Sequence, residues 1–233
     1  MTKARRFYES ATAVEIAGNW AIQLDGRPVR TPGGVPLQVP YNKLGQAMAQ
    51  EWDAQGDDIN PATMPLCGLA NAAIDRIASD RTVFIDQLSH YAKSDLICYW
   101  ADEPEDLVSR QGEVWQPLLN WAGSALGAHL TATSGVIHVD QPAEAIQAIT
   151  AKVGRLNDFE LAAVTDIATS LSSVVMALAV YHGQLSAVAA YDAAMVDEHY
   201  QAEKWGEDKE ALDRQRQIKV DVLATATFLE LIQ

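Results

Sequence analysis

The residue pattern changes its period near Pro40, and this limits the chain to a mixed architecture with strands first and helices after. Before that point short runs are divided by turn formers. Val14-Glu15-Ile16 precedes Gly18-Asn19, and Trp20-Ala21-Ile22-Gln23-Leu24 alternates apolar and polar positions. Asp25-Gly26 offers a two-residue hairpin turn, with Gly26 free to take the positive φ such a turn needs. Arg27-Pro28-Val29-Arg30-Thr31, closed by Pro32-Gly33-Gly34, and then Leu37-Gln38-Val39 complete a meander of small antiparallel strands. Pro28 and Pro36 belong at edges, because proline cannot donate to a ladder. A sheet this small must close up or pack on something to be stable.

Past Pro40 the spacing is helical. Asn42 is read as the cap of a helix carrying Leu44, Ala47, Met48, Glu51 and Trp52 and ending near Gly56. Residues 57–65, with Pro61 and Pro65, read as an extended connector. Leu66, Leu69, Ala70, Ala73, Ile74 and Ile77 form the next stripe, and Asp80 caps a third helix with Val83, Phe84, Leu88 and Tyr91. The apolar run Leu96–Trp100 fits a strand or a buried helix end equally well. The acidic run from Asp102 to Asp106 suits the positive end of a helix dipole, and Pro117 further on is a candidate kink. Pro142 reads as the first residue of a helix to about Leu156, followed by helices at about 158–182, 186–205 and 209–232. The expected fold class is α+β: a small β-rich N-terminal domain with one helix over residues 1–60, then a larger multi-helical domain over 61–233.

Charge and composition narrow the function. Hydrophobic residues are 48% and charged residues 21%, a globular balance that excludes disorder. With 31 acidic against 17 basic residues the net charge is −14, which repels nucleic acid and anionic lipid and favours basic protein surfaces or small ligands. No formally charged residue lies between Asp166 and Asp192, but the continuous apolar part, Val174 to Tyr181, falls far short of the roughly 18 to 20 residues of a membrane span. Lys3, Arg5 and Arg6 are followed by Phe7-Tyr8-Glu9-Ser10 with no apolar stretch, so export is not expected. Cys67 and Cys98 form no C-x-x-C pair and no disulfide framework, in keeping with a reducing compartment.

Motifs for chemistry are few. Gly33-Gly34 lacks both the dinucleotide fingerprint and a Walker lysine, and Gly123-Ser124-Ala125-Leu126-Gly127 has the wrong spacing for a nucleophile elbow. His199 and Glu203, one helical turn apart beside Asp197 and Glu198, are the best metal-like pair, set against an ordinary exposed acidic helix face. Cys98 or Cys67 with His90 as base would serve a hydrolase, set against small buried thiols. Trp52 and Trp115 fit apolar stripes and are assigned to packing. Trp205 stands among charges next to Gly206, so it is either a contact point for a basic partner or a half-buried helix terminus.

Several segments together resemble one family. They are Leu24-Asp25-Gly26-Arg27-Pro28-Val29-Arg30-Thr31-Pro32 with Pro36-Leu37, then Glu51-Trp52-Asp53-Ala54-Gln55-Gly56 and Met64-Pro65-Leu66 running into Ala73-Ile74-Asp75-Arg76. Asp95-Leu96-Ile97-Cys98-Tyr99 and Glu203-Lys204-Trp205-Gly206-Glu207-Asp208 follow in the same order. The pattern is similar to that of the F-type ATP synthase assembly chaperones of mitochondria and alphaproteobacteria, which hold the alpha subunit. The resemblance implies a non-enzyme without cofactor or metal. Such a chaperone binds the free alpha subunit and shields its beta-facing interface until beta replaces it. It points to Glu203 as the functional acid, with Trp205, Glu207 and Asp208 beside it as partner-binding residues. Trp52 matches a family position too, but its helical stripe assigns it a structural role, as is also expected of Gly26 and Arg76. With only a few residues before Phe7, a bacterial cytoplasmic protein is expected, its eukaryotic relatives residing in the mitochondrial matrix. A monomer is expected, since a transient holder needs its surface free. The rival readings are a small cytoplasmic metal-dependent hydrolase and a generic acidic adaptor.

Overall fold

A helix lies against a strand meander closely enough to require a glycine between them. In the computed structural model, which describes residues 4–135 and 138–233, a Cβ on Gly45 would sit 2.6 Å from the Trp20 Cβ. The strands are β1 (Ala11–Ile16), β2 (Asn19–Leu24), β3 (Arg27–Pro28) and β4 (Gln38–Val39), and Gly45 belongs to α1 (Asn42–Asp53). The sheet order is β1-β2-β3, with β4 also on β2, all antiparallel, and Ala13 stands opposite Ile22. Its turns use positive φ at Ala17 and Gly18 and at Asp25 and Gly26 (48° and 77°). The Asp25 carboxylate accepts from the Ser10 amide at 2.9 Å and from the Glu9 amide, and these bonds lower its pKa. Ile22, Leu37 and Val39 are buried, as are Leu44 and Met48 of α1.

The chain forms two compact units. The first contains everything up to Arg81 together with residues 157–163 and 227–233, so the boundary read at residue 60 falls inside it. After a short 3-10 turn at Pro61–Thr63 come α2 (Pro65–Asn71) and a π-helical turn at Ala72–Ile77. Glu51 caps α2, accepting from the amides of Leu66 (2.8 Å) and Cys67 (2.9 Å). Asp75 accepts from the Thr31 hydroxyl (2.6 Å) and the Gly33 amide (2.7 Å), tying the meander to the π turn. The later segments join through Phe159, edge-on to Tyr41 at 5.5 Å and stacked on Phe228 at 6.4 Å, and through an Arg81–Asp158 ion pair.

The second unit, residues 82–156 and 164–226, is almost wholly helical. Its elements are α3 (Arg81–Lys93), β5 (Tyr99–Trp100), α4 (Glu105–Trp121), β6 (Thr133–Ser134), α5 (Ala143–Val153), α6 (Asp158–Leu171), α7 (Val174–Tyr181), α8 (Ala187–Ala194), α9 (Val196–Trp205) and α10 (Lys209–Leu231). Arg81 of α3, residues 158–163 at the start of α6 and residues 227–231 at the end of α10 belong to the first unit. Strands β5 and β6 pair in parallel. Trp115 is fully buried and donates its indole N–H to the Ala193 carbonyl at 2.8 Å. Among the described residues no helix is long and apolar enough to cross a membrane.

Local chemistry corrects several expected boundaries. The helix expected over 158–182 is two helices, broken where Ser172 takes φ 53° and Ser173 caps α7 through the Met176 amide. The one expected over 186–205 is also two, parted at Met195. Pro142 is the residue before α5 and Tyr41 the residue before α1, each one position from the cap geometry expected. The ambiguous run at Leu96 is a 3-10 turn, Leu96–Cys98, that passes directly into β5. Only Arg27 and Pro28 of their run pair as a strand, with an isolated bridge from Arg30 to Pro36.

Candidate partner-binding site

The acidic corner between α9 and α10 is made by a glycine that α9 cannot pass. Gly206 takes φ 93° and ψ 165°, a conformation closed to L side chains, and receives the chain after Trp205. Asp208 then accepts from the Ala211 amide at 2.9 Å and opens α10. Glu203, Trp205, Glu207 and Asp208 are thereby brought to one turn. Trp205 is 77% exposed, so it is not the half-buried helix terminus of its second sequence reading. A groove of ≈ 530 Å³ between α9 and α10 is lined by His199, Glu203, Glu207, Arg216 and Lys219. A smaller one of ≈ 210 Å³ is walled by Trp205, Glu207 and Asp208.

On its other flank α9 is fastened to α4 by a polar ladder. Asp106 accepts from the Tyr200 hydroxyl at 2.7 Å and from Lys204 Nζ at 2.9 Å. The Lys204 hydrogen bond and then that of Tyr200 lower the Asp106 pKa, while Asp106 raises that of Lys204. Arg110 Nη1 lies 2.8 Å from Glu203 Oε2. The Tyr200 ring carries both cations, Arg110 at 5.3 Å and Lys204 at 5.0 Å from its centroid. The sequence marks Asp106 only as part of an acidic helix start and does not single out Arg110 or Tyr200, because nothing local marks two residues of α4 as neighbours of a helix some ninety positions later.

The remaining candidates lie elsewhere. Trp52, Gly26 and Arg76 all belong to the first unit. Trp52 is half-buried, edge-on to Tyr8 at 5.9 Å, and its carbonyl accepts from the Tyr8 hydroxyl at 2.6 Å. Arg76 is exposed in the π turn, where its carbonyl accepts from the Ser79 hydroxyl at 2.6 Å. Among the described residues no three His, Cys, Asp or Glu side chains are grouped to hold a metal, and His199 instead meets the Tyr191 ring at 6.2 Å. Cys67 and Cys98 are both buried. Burial pushes both thiols up, helped by the charges of Glu51 and Asp95 respectively, so neither is poised as a thiolate nucleophile.

Comparison with known proteins places this architecture. The family model described as ATP12 chaperone protein matches residues 5–123. The chain belongs to the ATP12 chaperone family. The crystal structure of Atp12 from Paracoccus denitrificans is 39% identical, covers 99% of this chain and of its own, and superposes with a TM-score of 0.94. A point mutant of the P. denitrificans protein is 38% identical over 100% of both chains, also with a TM-score of 0.94. The mitochondrial protein atp12 of Schizosaccharomyces pombe is 26% identical over 237 residues, 97% of this chain and 81% of its own length. The α+β order of small strand region and helical remainder is the ATP12 fold, and the α9–α10 corner lies within the part shared with the bacterial ATP12 structure.

Proposed function

We propose that this ATP12-family protein acts in assembly of the F-type ATP synthase, binding the free alpha subunit and covering its beta-facing interface until beta takes its place. The observation that carries the reading is the α9–α10 corner, where an open Trp205 stands among Glu203, Glu207 and Asp208 on a chaperone-family fold. An unpaired subunit exposes the apolar patch meant for its partner, and such patches aggregate. A rigid aromatic provides the anchor of a contact, and surrounding carboxylates select a basic surface. A net charge of −14 speeds encounter with that surface and makes binding weaken as salt is added. The holder works as a monomer in the bacterial cytoplasm, with its binding face open.

The test is co-expression of the alpha subunit of the same organism without beta, with and without this protein. The reading expects soluble alpha that co-elutes with the chaperone at low salt. Alpha that precipitates regardless, with nothing co-eluting, would remove the alpha subunit as the client and leave the general acidic adaptor.

A further inference from the structure

Glu203 already has a cation beside it. Resting on the reading of the α9–α10 corner as the client site, we propose that Arg110 is an internal competitor for that acid: it occupies Glu203 in the free chaperone and is displaced when a basic group of the client arrives. The pair is open on both sides, with 43% of the Arg110 side chain and 54% of that of Glu203 exposed, so an incoming donor can reach the carboxylate without disturbing the core. Arg110 is not stranded by the exchange, since its guanidinium keeps its place over the Tyr200 ring at 5.3 Å. That ring is itself held by Asp106, at 2.7 Å from the Tyr200 hydroxyl.

The neighbouring acid shows why Glu203 is the exchangeable one. Asp106 takes two donors at once, Tyr200 and Lys204, and fastens α9 to α4. Removing it from both would loosen the helix that presents the site. Glu203 pairs with the partly exposed Arg110 and opens onto the groove it shares with Glu207. An exposed pair of this kind shifts an equilibrium by only about two- to five-fold, small enough to be overturned by a client and large enough to matter for release. Arg110 therefore keeps the bare acid from seizing any passing cation, and its return to Glu203 helps the client leave.

The experiment titrates purified alpha subunit at low salt against the wild type, Arg110→Gln, Glu203→Gln and the double variant. Arg110→Gln removes the guanidinium charge and leaves a polar side chain at this exposed position. Arg155→Gln makes the same charge change at another exposed position of the second unit and serves as control. Expected are weaker binding by Glu203→Gln, about two- to five-fold tighter binding with slower dissociation by Arg110→Gln, and no gain from Arg110→Gln when Glu203 is already glutamine. Arg155→Gln should lack that gain. Arg110→Gln that binds equally or more weakly overturns the competitor role while leaving the site intact. An equal gain from Arg155→Gln overturns it in favour of bulk charge. If Glu203→Gln binds undiminished, the acid is not a client contact, and both the competitor role and that part of the site reading fall together.

Discussion

Asp95 accepts a hydrogen bond from the Val175 amide, eighty residues along the chain, at 3.0 Å while fully buried. It also accepts from the Ile97 amide at 3.3 Å and is supported by the Ser173 hydroxyl, so one carboxylate joins the 3-10 turn before β5 to the first turn of α7. The Leu96 amide adds a bond to the Ser172 carbonyl at 3.0 Å, beside the positive φ that parts α6 from α7.

That placement has a pH signature. Burial outweighs the hydrogen bonds and raises the Asp95 pKa to about 6, above the ordinary 3.8. Between those values the folded protein holds a proton that the unfolded chain releases, so this group's contribution to stability is full at low pH and falls as pH rises towards 6. The fall amounts to about 3 kcal/mol. Urea unfolding of wild type and Asp95→Asn across this range should show the gap between them shrinking with rising pH. A constant gap would contradict the assignment.

Trp52 is placed to hold α1 against the N-terminal arm, through its ring contact and the Tyr8 hydrogen bond. Arg6 reinforces the junction by donating to the carbonyls of Asp53, Gln55 and Glu9. Trp52→Arg should lose about 2–4 kcal/mol, seen as a lowered melting temperature, because a charge replaces a half-buried ring. A normal melting curve would show that the ring does not support the fold.

The strand half was legible because its turns are chemical. Asp25-Gly26 and the glycine after Ala17 adopt the positive φ their identities allow, and the period change near Pro40 marks the start of α1. The break at Ser172 carried a signal in Ser172-Ser173, where Ser173 is the cap of α7, but serines also occur inside helices. The break at Met195 was not legible, since the residues around it are as helix-compatible as their neighbours. Nor could local sequence show that Phe159 and Phe228 belong with Tyr41, a packing choice made across more than a hundred residues. Of the site, Trp205, Gly206 and the acids were readable as a charged helix end. The Arg110 and Tyr200 contacts that organise it were not.

The thiols give an independent check on chemistry. Cys67 and Cys98 are buried, and their pKa values are pushed well above the ordinary range, first by burial. A thiol reagent at neutral pH should label neither in the native protein and both in denaturant. Rapid native labelling of either would reopen a nucleophilic role.

At the proposed client face, Trp205→Ala should leave stability within about 0.5 kcal/mol of wild type, because the ring is 77% exposed. Binding of the alpha subunit should weaken by about 1 kcal/mol or more, roughly five-fold or greater, at an anchor residue. Undiminished binding by a folded Trp205→Ala would take the anchor out of the account.

The most direct measurement is competition. Purified beta subunit is added to the preformed complex of this chaperone with alpha, and the species are separated by size. Beta should displace the chaperone, leaving it free while alpha moves into an alpha–beta assembly. A stable complex of all three proteins, or chaperone that beta cannot dislodge, would contradict the claim that it covers the beta-facing interface.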